Sequence, residues 1–535
     1  MSFSSMYVGA TGVIAHGDRM QVVANNLANV STVGYKKADA LFGDLMSKQA
    51  ATTGGQYEGG ACFNSQIGTG VAVAEIRNIF QEGGLQNTNT NTDIAITGQG
   101  FFGTRNTHQS GSAGATHFTR AGAFRFNNEA YMVDPHDFRL QGYEVDRETG
   151  QIATNLSDIQ LPYEDTIIDG REVRVVRSEP KATSSVDMLV TLDAKASDQY
   201  QSYSNPFFAL LEGYNGTLES GKPFGTALPA YSSSLNVYDS EGNDHDLTVY
   251  FDPVPSSAMS NAIPGYSYWE YVVALPADAD GSGAYGTSSA GLAGVGIMAF
   301  NGNGQIAEHS AYSVGTGGTK DLSSWEPASF SSAGHPQFQF TFGSNGSAVG
   351  SLESVELNFG LSSTSSSWVA GGGNADTVGR NAGNLLEMAN LDRDLRSSTS
   401  FDSGSATLYE EQDGFSSGYL QSLSINREGA IEGNFSNGQT EELYVIAMYR
   451  FNSDWGLRRA GSNNFVATEA SGAAVAGRAE VNGRGTFQQN TLERSNVDMA
   501  EEFANMILTQ RGYQANTKVI TTSDTLLNTT INIKR

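Results

Sequence analysis

Apolar or small residues recur at Phe3, Met6, Ala10, Val13, Gly17, Met20, Ala24 and Leu27. The spacing alternates three and four without a break, which predicts a helix with a heptad seam. A second such segment closes the chain. Over 497–533 one heptad position holds Met499, Met506, Tyr513, Ile520 and Leu527. The position four later holds Phe503, Gln510, Thr517, Asp524 and Ile531, so this seam is narrow. The rest of its surface, including Gln510, Gln514, Asn516, Thr521 and Thr522, is wettable but uncharged. Ser495 or Asn496 is expected to cap this helix. Asp498, Glu501 and Glu502 follow in the first turns, where the helix dipole favours anions.

The N-terminal helix is expected to end within the stretch NNLANVSTVGYKK, 25–37. Asn29, Ser31 and Thr32 offer competing side-chain hydrogen bonds, and Gly34 permits a left-handed residue. Gly9, Gly12 and Gly17 each cost a helix about 1 kcal/mol relative to Ala. Such a segment is poorly ordered alone and needs a partner, for which the other end of the chain is the natural candidate. The expected assembly seam is therefore Phe3, Met6, Ala10, Val13, Met20 and Leu27 with Met499, Phe503, Met506, Tyr513, Ile520 and Leu527.

Between the helices the period changes from 3.6 to 2. The stretch 118–143 alternates through Phe124 and Phe126, turns at Asn127–Asn128, and resumes at Tyr131 and Val133. It reads as successive hairpins. A matching pattern fills 420–451, with turns at Arg427–Glu428–Gly429 and Ser436–Asn437–Gly438. Another hairpin is expected over 234–251. The two outer regions could form one domain built from both halves of the chain. The expected fold class is thus multidomain and mainly β, with hairpin-rich, sandwich- or barrel-like outer domains, discontinuous along the chain, and α-helical coiled-coil termini. The expected division is 1–30 plus 493–535 as a terminal helical domain, 31–80 as a linker broken by Gly54–Gly55 and Gly59–Gly60, 81–150 plus 396–492 as a split β domain, and 151–395 as one or two inserted outer β domains.

The 535 residues suffice for three or four domains at ~150 residues each. Glycine is abundant (62) and charged residues are sparse (16%), which favours sheets over helical bundles. The net charge of −26 argues against nucleic-acid binding, which needs a basic face. The terminal segments 1–37 and 493–535 are close to neutral, so the acidic excess lies in the middle. Near-neutral ends can pack against copies of themselves with little Coulomb penalty. One cysteine, Cys62, excludes an intrachain disulfide. No run of about 18 apolar residues predicts a membrane span. The first basic residue is Arg19, so a cleavable secretory signal is not expected.

One motif invites a chemical reading. In TDIAITGQGFFG, 92–103, a short strand precedes Gly98, Gly100 and Gly103, spaced as in a dinucleotide-binding turn. That turn needs a helix after the third glycine and an acidic residue about 20 positions on. TRNTHQSGSAGA follows instead, and the first acidic residue is Glu129. Gly98 and Gly100 are therefore read as turn or hinge positions that let a hairpin pass close to another backbone, with Phe101 and Phe102 opening the next strand. Asp278–Ala279–Asp280–Gly281 lacks the bidentate Glu of a calcium loop. Asp239, Glu241, Asp244 and Asp246 around His245 read as a solvated hairpin turn. The histidines, His108 and His117 among them, show no metal-ligand spacing, and no G-x-S-x-G, H-E-x-x-H or P-loop is present. No catalytic residue, cofactor site or metal site is expected.

The stretches ANNLANVSTVGYKK (24–37), TDIAITGQGFF (92–102), 118–143 and 495–533 together resemble the bacterial flagellar rod and hook axial proteins. The stretch 412–443 is similar to the hook members in particular. The resemblance implies a subunit that polymerises into a short curved tube, the universal joint between rod and filament. It implies terminal helices as an inner coiled-coil layer around an export channel, a split β domain outside them, and the insertion outermost. It implies as partners further copies of the chain, the distal rod protein, the hook cap protein, the hook–filament junction protein and the flagellar export apparatus. It places the protein in the hook, exported without signal cleavage, with no nucleic acid and no membrane insertion. A distal-rod protein would lack so long an insertion. A junction protein or flagellin would carry longer terminal helices than the turns near Gly34 allow. An enzyme or adhesin carried on the scaffold would need chemistry that 150–395 does not display.

Overall fold

The computed structural model describes residues 2–49, 66–106, 116–147, 149–168, 171–219, 221–314, 318–350, 352–369 and 373–533. Cys62, His108, Gly54–Gly55, Gly59–Gly60 and the side chain of Phe3 lie outside the described residues. The chain is mostly β, with one long helix at each end: Ser2–Ala28 and Met499–Ile533. It divides into two compact units, Met1–Val176 with Leu420–Arg535, and Arg177–Tyr419.

In the first unit the N-terminal helix stops where the expected residues stop it. Asn29 Nδ2 donates to the Asn25 carbonyl at 2.8 Å, and Thr32 bonds Asn29 at 3.2 Å. Gly34 is left-handed (φ +66), and a Cβ there would lie 2.5 Å from the Ala121 nitrogen. The chain then forms strand Ala38–Asp44, antiparallel to Val71–Asn78. This ribbon lies against the helix: Thr11 Oγ1 accepts from the Val71 N–H at 3.3 Å, and His16 meets Phe42 edge-on at 5.3 Å.

The β body of this unit pairs strands distant in sequence. Arg139–Val145 lies beside Thr440–Ile446, Phe101–Arg105 beside Met448–Arg450, and Ile94–Thr97 beside Thr486–Gln489. Their inward residues, including Ile96, Phe102, Leu140, Ile431, Ile446 and Phe487, form one buried cluster. The expected turns are present at 127–128, 427–429 and 436–438. The reading of Gly98 and Gly100 needs one correction. Ile94–Thr97 and Phe101–Arg105 do not form a hairpin, because the first pairs with Thr486–Gln489 and the second with Thr116–Thr119. The close backbone approach is real: a Cβ on Gly98 (φ +99) would sit 2.9 Å from the Gly485 Cα, and one on Gly100 would sit 2.5 Å from the Met448 sulfur.

Among the described residues the second unit holds two six-stranded sheets. One is an antiparallel run from Tyr231–Tyr238 through Asp244–Val254, Ser267–Ala274, Leu292–Phe300 and Ile306–Ser313 to Glu326–Pro327. The other is mixed and centres on Ser185–Asp193, with Glu353–Asn358 and Thr399–Phe401 parallel to it. Alternate residues of Asp244–Val254 serve different cores, as strand geometry requires. Leu247, Val249 and Phe251 join residues of the mixed sheet, while Tyr250 and Val254 join a second cluster with the short helix Ala209–Gly213. Leu292–Phe300 is accordingly buried at every position. The turn at 239–243 is not solvated at its centre. Asp239 is fully buried, and the Glu241 and Asn243 N–H groups (both 2.9 Å) and His245 (3.0 Å) replace water around its carboxylate.

Candidate assembly interface

The two terminal helices run antiparallel in direct contact. Ser5 meets Ser523 (3.2 Å between hydroxyls), Gly9 meets Ile520, Gly12 meets Asn516, and His16 meets Gly512. A Cβ on Gly12 would lie 2.5 Å from Asn516 Oδ1, and one on Gly512 would lie 2.5 Å from the His16 ring. The glycines that weaken the isolated helix therefore let it approach its partner. Gly17 is the exception, since a Cβ there meets nothing within 4 Å among the described residues.

The C-terminal helix turns a polar and small line inward. Glu502, Thr509 and Ser523 are buried and Asn516 half-buried, at seven-residue spacing. Thr509 satisfies its hydroxyl on the Asn505 carbonyl at 2.7 Å, and Asn516 donates to the Gly512 carbonyl at 2.9 Å. Most of its apolar residues point outward: Phe503 is 50% exposed, Leu508 64% and Leu526 61%, with Met499, Ile507 and Ile531 likewise exposed. An amphipathic helix folded only onto its own domain shows the opposite arrangement.

The expected seam residues divide accordingly. On the N-terminal helix Met6, Ala10, Val13, Met20 and Leu27 are half-buried, while the buried positions are Gly9, Gly12, Ala15, Val23 and Asn26. On the C-terminal helix Met506, Ile520 and Leu527 are half-buried, and only Ile520 is brought against a glycine of the partner helix, Gly9. Met499, Phe503 and Tyr513 stay exposed. The Glu502–Thr509–Asn516–Ser523 line was invisible to a hydrophobic pattern because it contains no hydrophobic residue.

Where both helices meet the β body, charge is buried. Lys36 and Glu493 are fully buried and ion-paired. Arg120 adds a bond to the same carboxylate at 3.4 Å, and the Gly83 N–H another at 2.9 Å. Arg120 also donates to the carbonyls of Ile96 (3.2 Å) and Gly98 (2.6 Å), which holds the glycine turn in place. Burial lowers the Lys36 pKa from its usual range, with the Glu493 charge opposing the shift. The Gly34 N–H donates to the Glu493 carbonyl at 2.7 Å, and Asn496 accepts from the Lys37 N–H at 2.7 Å and donates to the Ile79 carbonyl at 2.8 Å. Asn496 thus ties strands together rather than capping the helix. The cap is Asp498, whose carboxylate accepts from the Ala500 and Glu501 N–H groups at 2.7 and 3.2 Å. None of Lys36, Arg120, Glu493 and Asn496 carries a periodic signal. The only sequence hint is the lysine pair Lys36–Lys37, one residue beyond the left-handed glycine.

Among the described residues no group of three or more His, Cys, Asp or Glu is placed to hold a metal ion, and no helix is long and apolar enough to cross a membrane.

Comparison with known proteins matches four family descriptions along the chain. Residues 6–36 match "Flagella basal body rod protein", 95–175 "Flagellar hook protein FlgE/F/G D1 domain", 222–415 "Flagellar basal body protein FlaE D2 domain" and 488–533 "Flagellar basal body rod FlgEFG protein C-terminal". Full-length relatives include the flagellar hook proteins FlgE of Treponema pallidum (29% identical, 99% of each chain covered), Borreliella burgdorferi (28%, 99% of each) and Escherichia coli (26%, 100% of each). The crystal structure of Helicobacter pylori flagellar hook protein FlgE2 aligns over 76% of this chain and 100% of its own, at 14% identity and a TM-score of 0.43.

Proposed function

The chain belongs to the flagellar hook protein family, whose members are structural rather than catalytic subunits of the motility organelle, and on that premise we propose that it polymerises into a curved, flexible tube that carries torque from rod to filament. The observation that carries this reading is the inverted C-terminal helix. Its polar line is used inside the chain and its apolar residues are left outside. Large apolar side chains left exposed along one helix suit a protein contact, and copies of the same helix would supply it symmetrically around a tube axis.

In the proposed tube the terminal helices pair as an inner coiled-coil layer, lining the channel through which further subunits pass. Support comes from the uncharged Asn, Gln and Thr surface of the C-terminal helix. Thr522, Thr529 and Thr530 spend their hydroxyls on carbonyls of their own helix at 2.7–2.8 Å, so these hydroxyls do not hold a passing chain. The expected division at 151 and 395 is proposed in amended form, with the acidic insertion outermost and running from 177 to 419, because Ile152–Asp158 pairs with Arg139–Val145 and Thr399–Phe401 with Ser185–Asp193. Bending is proposed to come from insertions of neighbouring copies sliding over small polar contacts. The proposed partners are other copies, the distal rod, cap and junction proteins, and the export apparatus that delivers the chain without signal cleavage.

The test is assembly of variants altered on the outward face. Phe503→Asp and Leu526→Asp are expected to leave a folded monomer and to abolish tubes seen by electron microscopy. Normal tubes from both variants would overturn the reading.

A further inference from the structure

Below the helix pair lies a cleft of about 190 Å³ between the end of the N-terminal helix, strand Ala38–Asp44 and the first turns of the C-terminal helix. It is smaller than the roughly 300 Å³ at which small-molecule sites begin, and its size suits one long side chain. Val22, Val23, Ala40 and Ile79 form an apolar wall, and Asp39 and Glu502 present carboxyl groups. Lys37 and Glu501 pair with each other in the lining at 3.0 Å. Arg19, the other cation of the lining, stacks over the Phe42 ring at 5.6 Å.

Glu502 is the unusual member. It is only 3% exposed, and its Oε2 has no hydrogen-bond partner among the described residues. A buried carboxylate oxygen without a partner is costly, and a cation brought to it removes that cost. Burial already raises the Glu502 pKa, the Asn26 side chain and Lys37 acting against the shift. The lining as a whole carries three carboxyl groups against two cations, so it has room for one more positive charge.

We infer that this cleft receives the Arg511 side chain of a second copy of the chain. The inference rests on the polymer reading above. Arg511 is exposed on the C-terminal helix, and it makes no hydrogen bond or ion pair with the described residues. It lies nine positions beyond Glu502, about 13 Å along the helix axis, so it serves a neighbour's cleft rather than its own. A donor patch and an acceptor patch displaced along one molecule make a head-to-tail contact, which gives an open helical assembly when the rotation between copies does not close into a ring. The planar guanidinium forks onto the Glu502 carboxylate, while the methylene stem packs on the Val22–Ile79 wall.

Two measurements on the full-length chain test this. With Cys62→Ser removing the native thiol, Asn505→Cys in the cleft and Gln514→Cys one turn from Arg511 lie about 13 Å apart within one chain, beyond disulfide reach at ~7 Å. Oxidised polymer is expected to give an intersubunit ladder on a non-reducing gel. Polymer that stays monomeric on the gel overturns the inference while leaving the polymer reading intact, whereas absence of polymer from the unmodified chain overturns that reading. Separately, Arg511→Glu is expected to raise the critical concentration for assembly at least tenfold, and less than threefold when Glu502→Gln is already present. Equal effects in both backgrounds, or none in either, also overturn it.

Discussion

Lys36 and Glu493 form a fully buried ion pair although 457 positions separate them in the chain. One follows the N-terminal helix and the other precedes the C-terminal helix, so a single contact fixes both helices to the β body. Arg120 completes the cluster and extends it to the Gly98 turn.

Removing one member of this cluster should be expensive. Glu493→Gln leaves Lys36 and Arg120 buried without their counter-charge, and a loss of about 3–5 kcal/mol is expected. Lys36→Met should cost less, because Arg120 still faces the carboxylate. The double variant should lose clearly less than the sum of the two. Denaturant unfolding of the four proteins checks this, and strict additivity would show that the pair does not act as a unit.

The helix glycines should respond in opposite directions. No described residue comes within 4 Å of a Cβ built at Gly17, so Gly17→Ala is expected to stabilise the helix pair by up to about 1 kcal/mol. Gly12→Leu drives a side chain into Asn516 and should separate the helices. Amide exchange resolved by segment checks both: protection over 2–28 and 499–533 should rise in the first variant and collapse in the second, with Leu292–Phe300 unchanged.

The helices themselves were legible in the sequence because 3–4 spacing survives even when glycine interrupts it. The hairpin turns were legible because Asn127–Asn128, Gly429 and Gly438 announce themselves locally. What escaped was non-local or polar. Ile94–Thr97 looks like half of a hairpin until Thr486–Gln489, almost 400 positions on, takes its edge. The packing line through Glu502 and Thr509 has no apolar residue to mark it, and most of the apolar residues that do mark the helix face outward. Ser495 and Asn496 are as good as Asp498 by residue type, and only the strand bonds of Asn496 decide among them.

A pH dependence should appear in the Arg177–Tyr419 unit. Burial pushes the Asp252 carboxyl up to about 6, against the pull of N–H bonds from Ala230, Gln199 and Tyr200, and the Asp198 charge adds to the rise. The folded state then holds a proton that the unfolded chain has released. This group's contribution to stability should decline as pH rises from near 4 to about 6 and stay level above that. Asp252→Asn lacks the titration, so its stability relative to the parent should improve across that interval. Thermal unfolding followed by the fluorescence of Trp269 and Trp325, both buried in this unit, reads the difference.

The most direct test of the whole account is hydroxyl-radical footprinting of free chain and assembled polymer, read at Met499, Phe503, Leu508, Tyr513 and Leu526. Oxidation of these side chains is expected to be high in the monomer, where they are exposed, and to fall at least tenfold in the polymer as neighbouring helices cover them. Equal oxidation in both states would contradict the claim that the outward apolar face of the C-terminal helix is the assembly surface.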